Sequence, residues 1–362
     1  MIKNRNILIL AVVLVVLLGI SLVQKAGHKK STSGSATVKV VEGTITADQL
    51  DRITLGQGQD EEAVVLVSTP TGWVVASSWD SPAGLPRIES LLRNLGDLGG
   101  EFRSDNAAVL ADYGLSDEDA VKIRAYNKEG DLALAVDIGG KPERFPGNFI
   151  KRPGSNAVYL SPVNLLAQLG LYDGPAVPGG KHFLELQVVK EDRLDVDRII
   201  LTDGDQVLEL VKEFAKEQPT PGQEETAPVA TEPETGGVQD EPAGLDRTTW
   251  EWKLTAPRAK ALAKTKADGV LGSLVSIRAA DVDDPAGDLA DYGLAEPSRT
   301  GTIIRQDGSQ LTVEFGNTRE AVGDIQAGTW MKVRGEPNVW VVADYTVNNI
   351  FKSEEDLLPE QE

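Results

Sequence analysis

The sequence predicts an α+β protein: an N-terminal transmembrane helix, then two tandem copies of one mixed, mainly antiparallel β-sheet domain with packed helices. Three observations carry this. Residues 7–23 are an uncharged apolar run. The hexapeptide Leu110-Ala111-Asp112-Tyr113-Gly114-Leu115 recurs as Leu289-Ala290-Asp291-Tyr292-Gly293-Leu294, at an offset of 179. Around each copy, short apolar segments separated by close turns follow one another in the same order, a pattern that favours antiparallel pairing.

The apolar run follows Lys3 and Arg5 after a short N-terminal segment, residues 1–6. Its 17 residues reach the lower limit for spanning a hydrocarbon core as helix. A cleavable signal peptide has a shorter apolar stretch with a small-x-small site close behind it. Here Gly34-Ser35-Ala36 lies far downstream, and no cysteine is present to carry a lipid. The run therefore reads as an uncleaved signal-anchor contacting the bilayer through 7–23, followed by a juxtamembrane linker over 24–40. Lys25, Lys29 and Lys30 compete with Lys3 and Arg5 in setting orientation. The expected protein is single-pass in the cell membrane, with its C-terminal body outside the cytoplasm.

Charge narrows the partners. With 36 basic and 56 acidic residues the chain carries a net −20. No basic surplus exists to displace counterions from a phosphate backbone, so nucleic acid is not an expected partner. Anionic lipid headgroups would likewise be repelled, which leaves the apolar anchor as the means of membrane attachment.

The repeat sets the domain limits. Upstream of the hexapeptide, Leu92, Leu95 and Leu98 align with Leu271, Leu274 and Ile277 at the same offset of 179. Further upstream, Asp51-Arg52-Ile53-Thr54-Leu55 matches Asp197-Arg198-Ile199-Ile200-Leu201 at an offset of only 146, so 33 residues are inserted in the second copy. The insertion is residues 217–246, rich in Pro, Glu, Thr and Gly, with eight acidic residues and no basic one; such a composition predicts disorder. It aligns with the turn Thr69-Pro70-Thr71-Gly72, which makes it a loop inside a domain rather than a linker. The predicted domains are 41–172 and 183–352, with a Gly/Pro-rich boundary over 173–182 and a tail over 353–362. Each copy reads as strands, an amphipathic helix, a short helix, four strands and a closing helix. In the first copy Ile88, Leu91, Leu92 and Leu95 stand at i, i+3, i+4 and i+7.

The shared hexapeptide has a structural explanation. If Gly114 is the left-handed residue past a helix end, Leu110 and Leu115 form the hydrophobic pair of a Schellman cap, and Leu289, Gly293 and Leu294 repeat it. Asp112 and Asp291 then sit where the helix dipole disfavours an anion. With Tyr113 and Tyr292 they are candidate interaction residues, against the plainer reading of exposed or arginine-paired carboxylates. A second symmetry lies in the last hairpin of each copy. Phe149 and Tyr159 are equidistant from Gly154, as Trp330 and Trp340 are from Gly335, so each pair is expected to face across its turn. Trp330 and Trp340 are thus candidates for an aromatic platform, to which Trp250 and Trp252 could add; hairpin packing is the alternative.

Familiar catalytic patterns fail. The stretch Gly174-Pro175-Ala176-Val177-Pro178-Gly179-Gly180-Lys181-His182 lacks the spacing and the Ser/Thr of a phosphate-binding loop. Residues 281–292 resemble a calcium loop, but Gly287 comes one place late and Tyr292 replaces the closing glutamate. Only His28 and His182 are present, so neither a histidine triad nor a two-histidine metal site is expected. A carboxylate-pair hydrolase would need two close acids that the sequence does not single out.

The order of a Trp-bearing strand, a leucine helix, Tyr-Gly-Leu, Ile-Gly and an aromatic hairpin resembles the domain-of-unknown-function 4340 family. The residues are Trp73, Tyr113-Gly114-Leu115, Ile138-Gly139 and Val158-Tyr159-Leu160. In the second copy they are Trp250, Tyr292-Gly293-Leu294, Phe315-Gly316 and Val339-Trp340-Val341. The resemblance implies a single-span envelope protein encoded beside an ABC transporter and a gliding-motility-type auxiliary protein, with no catalytic residue to carry over. The expectation is a non-enzymatic accessory or scaffold protein without a cofactor, partnered by an ABC transporter or auxiliary envelope proteins. The alternative is an envelope module that contacts glycan or peptide through the aromatic hairpins.

Overall fold

The computed structural model describes residues 37–216, 245–322 and 326–360. The expected span 7–23 lies outside the described residues, as does most of the acidic insertion. Among the described residues no helix is long and apolar enough to cross a membrane.

The described chain is mostly antiparallel sheet with a few short helices. It forms two compact units that divide between Phe183 and Leu184, so residues 173–182 fall with the first; Ser78–Pro82 group with the second. In chain order the first strands are β1 (Thr37–Lys39), β2 (Leu50–Gln57), β3 (Asp60–Thr69), β4 (Gly72–Val75), β5 (Ser81–Pro82) and β6 (Gly99–Ser104). Helix α1 (Leu85–Leu95) lies between β5 and β6; β7 (Val121–Asn127), β8 (Leu132–Ile138), β9 (Phe149–Lys151), β10 (Val158–Leu160) and α2 (Leu165–Gln168) follow. Within the first unit the strands pair in the order β1-β6-β10-β9-β8-β7-β2-β3-β4.

The second unit holds β11 (Gln187–Lys190), β12 (Val196–Asp203), β13 (Gln206–Lys216), β14 (Leu245–Ala256), β15 (Lys260–Ala261) and α3 (Lys264–Leu274). These lead to β16 (Ser276–Arg278), β17 (Asp281–Asp283), β18 (Arg299–Arg305), β19 (Gln310–Arg319), β20 (Gly328–Val333) and β21 (Val339–Val342). The chain continues through α4 (Asp344–Ile350) and α5 (Glu354–Leu357). Its main sheet runs β17-β21-β20-β19-β18-β12-β13-β14-β15, and β11 pairs with β16 beside it. From β17 to β14 this repeats the order β6 to β4 of the first unit, whereas β1 continues the first sheet beyond β6 and has no counterpart in the second main sheet.

The helices form where apolar spacing demands them. Helix α1 has Pro86 in its first turn, where a missing N–H costs nothing, and buries Ile88, Leu91, Leu92 and Leu95. Helix α3 buries Ala267, Val270, Leu271 and Leu274 at the same spacing. The opening hairpins turn at Gly58 (φ 62°) and Gly204 (φ 56°), where a left-handed residue matches the strand twist.

The acidic insertion leaves from a hairpin tip. Strands β13 and β14 pair directly, with Lys216 opposite Leu245 and Ala215 opposite Asp246. Leu245 and Asp246 therefore belong to the strand, which shortens the expected insertion at that end. In the first unit only Pro70 and Thr71 join the equivalent strands.

Candidate functional site

The hexapeptide forms a lock in each unit. Gly114 (φ 65°) and Gly293 (φ 69°) are left-handed. The Leu115 N–H donates to the Leu110 carbonyl at 2.9 Å and the Gly114 N–H to Ala111 at 3.0 Å, the two bonds of a Schellman motif. Leu294 to Leu289 at 2.7 Å and Gly293 to Ala290 at 3.0 Å repeat them. The turn capped in the first unit is 3₁₀ rather than α-helical.

The Tyr carbonyl then meets the glycine that follows β8 or lies within β19. A Cβ on Gly139 would stand 2.2 Å from the Tyr113 carbonyl oxygen, and one on Gly316 2.0 Å from that of Tyr292. The next backbone N–H, of Gly140 or Asn317, donates to the same carbonyl at 2.9 and 2.7 Å. Tyr-Gly-Leu and the later glycine are thus two halves of one contact. Each tyrosine ring also meets the hairpin aromatic, Phe149 at 4.6 Å and Trp330 at 5.0 Å between centroids. Asp112 and Asp291 are exposed on these turns.

The expected facing of the hairpin aromatics is corrected by the register. Tyr159 pairs with Ile150 and Leu160 with Phe149; Trp330 pairs with Val341 and Met331 with Trp340. Each turn pivots on the bond after its glycine, not on the glycine, and a one-residue shift sends the two aromatics to opposite faces. Trp340 is buried, whereas half-buried Trp330 donates its Nε1–H to Asp283 at 2.9 Å. Four of the five acids of the calcium-like stretch are engaged within the protein. Asp281 and Asp283 bind Arg319 at 2.9 and 3.4 Å, while Asp284 and Asp288 accept from the backbone of Ala286 and Ala290.

A groove recurs in both units, between the 3₁₀ turn that precedes the opening strand and the amphipathic helix. In the first unit it encloses about 540 Å³, with turn residues Thr44 to Asp48 on one wall, Leu85, Glu89 and Arg93 of α1 on the other, and Trp73 between. In the second it encloses about 680 Å³, with Lys190 to Leu194 on the turn side and Gly272 and Val275 by α3, next to Trp250. The turns correspond at the offset of 146 and the helices at 179, so the grooves occupy equivalent places. Side chains cap both turns: Thr46 and Gln49 make a reciprocal box, and Asp192 accepts from the Leu194 N–H at 2.9 Å. Both volumes lie in the ordinary range of ligand sites.

The second groove is backed by a charged aromatic cluster. Trp250 and Trp252 share a face of β14 and donate to the same Asp268 oxygen at 3.1 and 2.7 Å. Lys264 binds the other Asp268 oxygen at 3.0 Å and lies 4.2 Å from the Trp250 ring centroid. Burial works against the Asp268 carboxylate, but the bonds from Trp252, Lys264 and Trp250 together hold its pKa below the usual range. Lys212, 4% exposed, places its ammonium 4.1 Å from the Trp250 centroid and donates to the Arg193 carbonyl. Burial lowers its pKa from the ordinary 10.5 to about 8, against the pull of Asp197 and Asp268 and with the repulsion of Arg247 and Lys264.

The sequence reading singled out Trp250 and Trp252 but missed Lys212, Asp268 and both grooves. Superposing the two offsets would have set 44–48 against 190–194 and 85–93 against 264–272, but the walls share few identical residues for an identity search to catch.

Fold and grooves together define a tandemly duplicated antiparallel-sheet protein with one turn–helix groove per unit. The family model described as Domain of unknown function (DUF4340) matches residues 73–235 and 252–360, and the chain belongs to that family. The two matches begin at Trp73 and Trp252, equivalent tryptophans at the offset of 179. No curated protein and no solved structure matches the chain.

Proposed function

We propose that the protein is a non-enzymatic accessory or scaffold protein, anchored in the cell membrane by residues 7–23 with its body outside the cytoplasm, and associated with an ABC transporter system of the envelope. The supporting observation is that duplication extends to the surface: both units repeat the order of eight neighbouring strands and present a groove in the same place. Two equivalent contact surfaces on one tether raise the effective concentration of the second contact, which suits weak binding to a multisubunit partner. The test is affinity purification of the full-length chain from its native membrane, with mass-spectrometric identification of what accompanies it. Specific enrichment of ABC transporter subunits is the expected result. Their absence despite efficient recovery of the chain overturns the reading.

A further inference from the structure

One apolar face, equivalent in the two units, is buried in the second and open in the first. Val38 pairs with Gly100 on β6. In the second unit the Leu186 carbonyl accepts from the N–H of Ala279 at 2.8 Å, and Ala279 is the counterpart of Gly100 at the offset of 179, so Leu186 holds the place of Val38. Next to it Phe102 pairs with Tyr159, as Val282 pairs with Trp340 in the equivalent strands. Leu186 is 8% exposed, Val282 5% and Trp340 3%. In the first unit Val38 is 41% and Phe102 46% exposed, with the half-buried Tyr159 ring 6.0 Å from that of Phe102.

The second unit also contains a segment from outside its own copy of the domain. Ser78–Pro82, the link between β4 and α1, belongs to it. There the Pro82 carbonyl accepts from the N–H of Glu185 at 2.8 Å, one residue before Leu186. Buried Ser81 accepts from buried Asn338 at 3.3 Å, immediately before β21. The counterpart of this link at the offset of 179 is Pro257–Ala261, between β14 and α3. It is held by β14 and by the Lys260–Glu354 ion pair, and every one of its residues is exposed. Among the described residues the chain thus has an apolar face that no such link borders, and a link that borders no such face.

We infer that the chain assembles head to tail with further copies of itself, the link Pro257–Ala261 of one copy docking on the Val38–Phe102–Tyr159 face of the next. The occupant follows from the internal repeat: the link that borders this face in the second unit comes from the first copy of the domain, and the second copy carries the same link exposed. The side chains differ, with Lys260 in place of Ser81 and Ala261 in place of Pro82. The contact therefore rests on the backbone carbonyl and on covering the apolar face, whose burial drives it. Such a contact is heterologous, with a different surface on each partner, and every assembly built from it keeps one open face and one open link at its ends. The inference goes beyond the accessory-protein reading and requires no transporter.

The chain has no cysteine, so single cysteines report the contact directly. Thr37 holds the place of Glu185 and Ala261 that of Pro82, the two residues joined in the second unit. Thr37→Cys and Ala261→Cys variants of the full-length chain, carrying different tags, are solubilised in detergent, mixed and oxidised. The expected product is a disulfide between the two variants, increasing with protein concentration and far exceeding the 37–37 and 261–261 products of either variant alone. Adding Phe102→Glu to the Thr37→Cys chain should lower its yield roughly tenfold or more, since a buried aromatic contact is lost. The same change at an exposed side chain should leave the urea midpoint where it was, which separates loss of the face from loss of the fold. A dominant 37–37 product, as two copies meeting face to face would give, overturns the inference. So does a yield unchanged by Phe102→Glu. Absence of any 37–261 product at all concentrations, the result if detergent or the chain's own N-terminal residues cover the face, overturns it as well.

Discussion

At the residue scale, the most consequential atoms are ones that glycine lacks. Because Gly139 and Gly316 receive a tyrosine carbonyl where a Cβ would stand, Gly139→Ala and Gly316→Ala should each cost about 1–3 kcal/mol in urea unfolding. Gly140→Ala is the control, since its nearest contact would be an ordinary 3.8 Å. A second sensitive point is Asp137, buried between Arg124 at 2.7 Å and Lys151 at 2.8 Å. Asp137→Ala leaves buried Lys151 without its anion and Arg124 with only Glu61 at 4.0 Å, and should destabilise by about 3–5 kcal/mol in the same assay. Lys212 gives a pH signature. Its folded pKa of about 8 lies below the ordinary 10.5, so between these values the unfolded chain binds the proton and the native chain does not. Stability from this group is therefore lowest below pH 8 and rises toward pH 10.5, by on the order of 3 kcal/mol. Comparing urea unfolding of the wild type and Lys212→Met at pH 7 and pH 10 should show the variant losing that part of the rise.

At the element scale, the β13–β14 hairpin makes a clear prediction. Since Lys216 and Leu245 are direct partners, replacing residues 217–244 with a Pro-Thr turn like that at 70–71 should preserve the fold. Shortening the closed loop should raise stability by about 1–2 kcal/mol, read as a higher urea midpoint. The insertion's place was legible because the two offsets differ on either side of it, a fact of alignment rather than of propensity. The amphipathic helices were equally legible, since Leu92 and Leu271 sit in one uninterrupted apolar spacing. The pairing of the aromatic hairpins was not. Symmetry about Gly154 or Gly335 ignores which peptide bond the turn pivots on, and sequence spacing alone does not determine that pivot. The grooves were obscured for another reason: their walls share almost no identical residues, so position-by-position comparison of Arg93 with Gly272 or Ala47 with Arg193 shows only differences.

At the scale of the whole molecule, attachment and body are separable claims. If residues 7–23 are the anchor, a chain beginning at Thr37 should move to the soluble fraction on cell fractionation while keeping the circular dichroism expected of a sheet-rich body. Recovery of that shortened chain with the membranes would locate attachment elsewhere. The family matches start at Trp73 and Trp252, inside the hairpins β3–β4 and β13–β14, whereas the folded units divide at Phe183 and Leu184. The recurring sequence module is therefore out of phase with the recurring folded body.

The open end of the β13–β14 hairpin also has a practical side. Paired antiparallel residues lie about 4.5–5.5 Å apart, so Lys216 and Leu245 present two chain ends at a separation that many small proteins match between their own termini. A fluorescent protein or affinity tag spliced between them would report on the second unit from within, leaving both ends of the polypeptide free, and would turn an irregular feature of the sequence into a port for imaging the molecule.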